Sequence, residues 1–178
     1  MSKLLKFAIA IIFSVLIFVS MYFGAYLPLR KSQLYIKAIS ELQAGKIKSL
    51  QDFDTAFGLV LNFYSPVGQD EVVSNYFSIL ANVVSQQTNK EIIESLIKQA
   101  EDLTAPILKK GKGFVYSQNL YNFAMFYKIA AQKLNSDVYL QKSIDLFNEG
   151  LKASPNRLIF LEGLFDIYKE KEDNEKIK

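Results

Sequence analysis

Residues 7–29, FAIAIIFSVLIFVSMYFGAYLPL, run for 23 positions without a charge. At ~1.5 Å rise per residue such a helix is ~35 Å long, enough to cross a ~30 Å hydrocarbon core with some tilt. Beyond residue 29 the pattern changes: apolar residues recur three and four apart in runs separated by Gly, Pro, Asn and Ser, the signature of amphipathic helices. The first helix is expected to continue from the membrane through RKSQLYIKAISELQA, with Leu34, Ile36, Ile39 and Leu42 as its apolar side and Gly45 as its stop. Pro28 marks a bend or a helix start where lipid meets water.

The second helix follows Ser49, which forms a capping box with Asp52, and it ends at the turn SPVGQ. The third has Val72, Tyr76, Ile79, Leu80 and Val83 on one face and acids in its first turn. A Thr88-x-x-Glu91 box opens the fourth, which Pro106 must bend or end, with Lys109, Lys110 and Lys112 neutralising its C-terminus. The fifth, SQNLYNFAMFYKIAAQKL, turns at NSD into the sixth, VYLQKSIDLFNEGLKAS, and Pro155 opens the seventh. The predicted fold is therefore all-α. One transmembrane helix lies in residues 1–29, and residues 30–178 hold a stack of antiparallel helix hairpins, since short turns force antiparallel neighbours.

Lys3 and Lys6 before the apolar run also fit a cleaved secretory signal, which would leave a soluble repeat protein starting near residue 26. The cleavage positions argue against it, because bulky Phe23 or Phe18 stands where a small residue is wanted. For orientation, the short basic N-terminal tail competes with Arg30, Lys31, Lys37, Lys46 and Lys48 on the other flank, and the balance tips towards an outward-facing C-terminal part. Those flanking cations either set topology or, on a cytoplasmic side, touch anionic head groups.

Charge narrows the function classes. Setting Lys3 and Lys6 aside leaves 19 of the 21 basic residues against 18 acidic ones, so the domain lacks the basic face that nucleic acid requires. The absence of His removes the usual general base and the commonest metal ligand, and zero Cys leaves the redox compartment open. Acid pairs such as Asp52 with Asp54, Asp70 with Glu71, and Glu101 with Asp102 are too close in sequence to face one another on a helix. Glu91 and Glu94 are explained by capping, and GKG at 111–113 lacks the spacing of a phosphate loop. No catalytic, metal or cofactor residue is assigned. Among 10 Tyr and 14 Phe, the group Phe114, Tyr116, Tyr121, Phe123, Phe126 and Tyr127 suits stacking on a sugar or peptide, but aromatics in stacked hairpins mostly fill the gaps between helices.

Residues 116–178 resemble a tetratricopeptide repeat. With Pro155 as the closing proline, Phe147 takes the aromatic position of the second helix, and Leu161, Leu164 and Tyr168 take the large positions of the next unit. KEDNEK then stands at its turn. Ser143 and Gly150 depart from the usual Ala, and Phe165 stands where Gly or Ala normally permits close approach. Earlier, Ala56, Val60 and Phe63 are spaced like another degenerate unit. A membrane helix, a basic stretch, a YSPVGQ-type turn and repeat-like helices together resemble the C-terminal region of bacterial O-antigen ligase or polymerase-like membrane proteins.

That resemblance implies a bacterial inner-membrane protein near glycan-assembly machinery, with the catalytic part of such an enzyme absent from this chain. The expected function is a non-catalytic, single-pass anchored scaffold that holds a protein or peptide partner. The alternative is the accessory domain of a glycan-assembly enzyme, as part of a longer reading frame. Repeat domains bind along the face formed by the first helix of each hairpin, which selects Lys128, Gln132, Glu162, Asp166 and Lys169. The seventh helix is also apolar on more than one side, through Ile159, Phe160, Leu164, Phe165 and Ile167. It predicts a truncated repeat or an interface rather than a polar cap.

Overall fold

A computed structural model describes residues 3–47, 49–111 and 114–170. Seven helices and no strand occur among them: α1 Lys3–Gln43, α2 Leu50–Asn62, α3 Gln69–Gln86, α4 Lys90–Lys110, α5 Phe114–Leu134, α6 Asp137–Ala153 and α7 Leu158–Glu170. The expected KEDNEK turn, Lys48 and Lys112 lie outside the described residues. Two compact units divide the chain, Met1–Val72 and Val73–Lys178.

In the first unit, α1 is one helix apolar enough to span a membrane, and no residue of its most apolar stretch is buried. A single π-helical turn, Tyr22–Tyr26, interrupts it, with the Leu27 N–H reaching back to the Tyr22 carbonyl. Pro28 explains the turn. Its ring would strike the carbonyl four residues earlier and it donates no bond there, so widening the helix just before it relieves both problems. Gly45, in the left-handed region at φ 64°, ends α1 with a Schellman closure in which the Lys46 N–H meets the Glu41 carbonyl at 2.9 Å. The Ser49–Asp52 capping box is present in both directions at 3.1 Å. α2 packs on the later part of α1 through Phe53, Phe57, Val60 and Leu61, all buried.

Lys31 departs from its expected role as a flanking surface charge. It is 2% exposed, and its Nζ donates to the Phe63 carbonyl at 2.9 Å and to Gln69 Oε1. The Gln69 amide in turn donates to the Leu61 carbonyl at 3.3 Å. The last turn of α2 leaves carbonyls without helical partners and carries the negative end of the helix dipole, so a cation there satisfies both.

In the second unit, Phe77 of α3 meets Phe123 and Phe126 of α5 edge-on, at 4.2 and 5.6 Å between centroids. One expectation fails in α4, and of the two outcomes expected at Pro106 one is excluded. The helix cap is Asn89, whose Oδ1 accepts from the Glu91 and Ile92 N–H groups, because Asn89 and not Thr88 sits one residue before the helix. Pro106 does not end the helix, which runs on to Lys110 and closes at Gly111, φ 63°. Leu108, packed on the core, holds the turn beyond the proline. Asn135, φ 51°, supplies the left-handed turn between α5 and α6, and the Ser136 N–H closes it on the Ala131 carbonyl at 3.0 Å. Pro155 lies in the turn before α7, not in its first turn, and α7 begins at Leu158.

Candidate functional site

The best-built surface of the second unit centres on α7 and its support. Phe160, Gly163, Leu164 and Ile167 face inwards, joining Tyr116, Leu120, Ala124, Ile144 and Phe147 in one apolar cluster. The contact between α6 and α7 is reciprocal. A Cβ added at Gly150 would lie 2.1 Å from the Phe160 ring, and one added at Gly163 would lie 2.4 Å from the Phe147 ring. Each helix thus offers a bare backbone patch to the other's phenylalanine. In the tetratricopeptide register the position of close approach falls on Phe165, a departure from the usual Gly or Ala. The close approach occurs at Gly163 instead, and Phe165 is 46% exposed.

Electrostatics fix both ends of α7. Before its first turn, Arg157 donates to Ser117 Oγ at 2.9 Å and Gln118 Oε1 at 2.8 Å. At the last turn, buried Lys128 places Nζ 3.0 Å from Glu170 and 3.8 Å from Asp166, and the Gln132 amide donates to Glu170 at 2.8 Å. Three of the five residues expected on the concave face, Lys128, Gln132 and Asp166, are therefore brought together. Glu162 and Lys169 are exposed and outside this network. Glu170 is the residue the sequence reading missed, lost in the charged run KEKEDNEKIK. Beside it opens a cleft of about 240 Å³ lined by Gln132, Asn135, Asp137, Leu140, Ile167 and Glu170.

A second polar group ties α4 to α5 and α6. Glu101 Oε1 accepts from Lys142 Nζ at 2.5 Å and from the Tyr127 hydroxyl at 3.0 Å, while Tyr127 stacks on Tyr139 at 6.1 Å. Burial raises the Tyr127 pKa, and the Glu101 charge, its hydrogen bond and Tyr139 raise it further. The Tyr116 hydroxyl donates to Glu149, and burial followed by that partner pushes its pKa up to about 12. Both phenols are thus held as neutral donors. Of the aromatics considered for ligand stacking, Tyr116, Phe123, Phe126 and Tyr127 are buried and Tyr121 packs edge-on against Phe147 and Phe160. The side chain of Phe114 lies outside the described residues.

Beside exposed Glu162, Asp166, Lys169 and Glu170, α7 also leaves an apolar stripe outward. Leu158, Leu161 and Phe165 are 68%, 49% and 46% exposed and fall three and four residues apart, forming a ridge along one face. Among the described residues no cluster of acids could hold a metal. No protein-family model, curated protein or solved structure matches this chain.

Proposed function

We propose that this protein is a single-pass anchored scaffold, set in a bacterial cytoplasmic membrane with residues 30–178 outside, whose helical domain docks a protein partner on α7. The observation that carries the reading is the outward ridge of Leu158, Leu161 and Phe165 on a helix whose opposite face and both ends are held. An exposed apolar stripe on a rigid helix is the usual anchor of helix-in-groove or helix-on-helix recognition. A tetratricopeptide-like stack of antiparallel hairpins is the architecture we favour. Supporting it, the α5–α6 contacts pair Tyr116 with Glu149, Ala124 with Ser143 and Tyr127 with Tyr139, so one number rises as the other falls. The glycine–phenylalanine nesting of α6 and α7 is the kind of close approach that such repeats need, though its register lies two residues from the one Pro155 sets.

The test is a photo-crosslinking amino acid in place of Leu161, in the full chain in membranes of its own host. A discrete protein adduct that disappears when Leu158 and Phe165 are changed to Asp is the expected result. Adducts confined to lipid, or unaffected by those changes, refute the reading. The resemblance of the YSPVGQ turn and its flanking helices supports a second reading, the accessory region of a glycan-assembly enzyme. An immunoblot of host membranes separates the two, with a band near 20 kDa for the scaffold and a much larger one for the enzyme.

A further inference from the structure

We infer that the loop Tyr64–Val67 is a second membrane contact, lying among the lipid acyl chains beside the spanning helix, and that the groove between loop and helix is filled by an acyl chain. The inference rests on the reading of residues 7–29 as the span.

Depth carries the first step. Both ends of the excursion are pinned at one level, because Lys31 Nζ holds the Phe63 carbonyl where the loop leaves and Gln69 where α3 begins. Between those pins the chain turns back along α1. Pro66 and Val67 share the walls of an open groove of about 490 Å³ with Val19, Ser20, Phe23 and Gly24. At ~1.5 Å per residue, Phe23 and Val19 lie roughly 9 and 15 Å inside the end of the uncharged run at Leu29. A loop that touches them is at hydrocarbon depth if they are.

The chemistry of the loop agrees with that depth. Backbone polar groups in lipid must be satisfied within the protein. Here the Val67 carbonyl accepts from Ser65 Oγ at 2.7 Å, Pro66 has no N–H to satisfy, and the flanking Leu61 and Phe63 carbonyls accept from Gln69 and Lys31. The other loop amides have no partner among the described residues, which keeps the loop at the head-group end of the acyl chains. Gly68 makes the return turn at φ 85°. The outward side chains are Pro66 with Tyr64 and Val67, the latter two 67% and 60% exposed, an interfacial aromatic and an aliphatic. A Cβ built on Gly24 meets nothing within 4 Å, so the groove floor is open. Its walls continue a surface that faces lipid, which makes an acyl chain its occupant.

The chain contains no Trp, so single tryptophans report cleanly. The full protein carrying Val67→Trp as the loop reporter is reconstituted in phosphatidylcholine–phosphatidylglycerol vesicles, with Phe13→Trp as the reporter of the span. Lipids brominated high or low on the acyl chain quench from within the bilayer, and iodide quenches from water. The expected result is that emission of the loop reporter is at least halved by bromine high on the chain and barely changed by iodide, while the span reporter responds to the deep bromine. Tyr64→Trp, a milder change, repeats the measurement should Val67→Trp perturb folding. A span reporter quenched by bromine beside a loop reporter quenched by iodide overturns the inference and leaves the span intact. A loop reporter shielded from both quenchers also overturns it, in favour of a second copy over the loop. A span reporter insensitive to bromine overturns the span itself, and the inference with it.

Discussion

Gly163→Ala is the sharpest test of the α6–α7 contact, because two opposing effects have different sizes. Alanine in place of glycine inside an exposed helix gains about 1 kcal/mol through propensity. At Gly163 the new methyl would sit 2.4 Å from two atoms of the Phe147 ring and 3.0 Å from a third. Ordinary carbon contacts lie at ~3.5–4.0 Å, so the ring or the helix must retreat by about 1 Å. Phe147 has no exposed surface and is flanked edge-on by Tyr121, so the ring has nowhere to go and the helices must part. Overpacking of this kind costs about 1–3 kcal/mol or more, and because the displaced ring is fully enclosed the upper part of that range applies. The net change is a loss of about 1–2 kcal/mol, or roughly 4–8 °C in Tm per kcal/mol for a unit of this size.

The assay is thermal unfolding of the full chain in micelles, followed by circular dichroism, for Gly163→Ala, Phe147→Leu and the double variant. Residues in direct contact are non-additive, so trimming the ring should recover part of the loss caused by Gly163→Ala. A neutral or stabilising Gly163→Ala, or strict additivity with Phe147→Leu, would show that the nest is not a close contact.

Three further outcomes follow from buried polar groups. Lys31→Met should cost about 1–3 kcal/mol by leaving the Phe63 carbonyl and Gln69 without their donor, seen as faster amide hydrogen exchange across the Leu61–Gln69 segment. Asn119 is fully buried with neither amide atom hydrogen-bonded to any described residue, so Asn119→Leu should raise stability by roughly 1–2 kcal/mol, and a fall in Tm would mean the amide has a partner. Tyr116 titrates near 12 in the fold against 10 unfolded, so the unfolded chain loses the phenolic proton first. Its contribution is complete below pH 10 and is lost as pH rises towards about 12, and Tyr116→Phe should flatten that part of the Tm–pH curve relative to the parent.

Much of the local structure was legible in the sequence, because its causes are local. The uncharged run of 23 residues lies in one long helix apolar enough to cross a membrane, the Ser49–Asp52 box caps α2, and the glycine at 45 ends α1, each acting within its own stretch of chain. The Thr88 error is of the same kind. Two adjacent residues both have capping side chains, and only the true helix start distinguishes them. Lys31, Gly163 and Glu170 were not legible for a different reason. Their partners are 32 or more residues away in sequence for Lys31 and Glu170, and a glycine's nesting depends on which ring arrives from the neighbouring helix. A lysine just past an apolar run reads as a topology signal, and during insertion it can act as one, since that bias operates on the unfolded chain. Only the folded state shows the same ammonium closing the end of α2.

The outward ridge of α7 differs from ordinary exposed apolar surface in how firmly it is held. A frayed terminal helix would have to be ordered on binding, at about 1–2 kcal/mol for each backbone residue fixed. Here the two rings packed on glycine fix the middle of the helix, Arg157 ties its start to α5, and Lys128 with Gln132 ties its end. A partner of the kind proposed would therefore meet Leu158, Leu161 and Phe165 already aligned, with little of the apolar gain lost to ordering. A polar terminal cap needs only one inward apolar face. The outer stripe of α7 does nothing for the core beneath it, yet the fold devotes two glycines, an arginine and a buried lysine to holding it still. That combination is what supports the proposed docking role of α7 over a capping one.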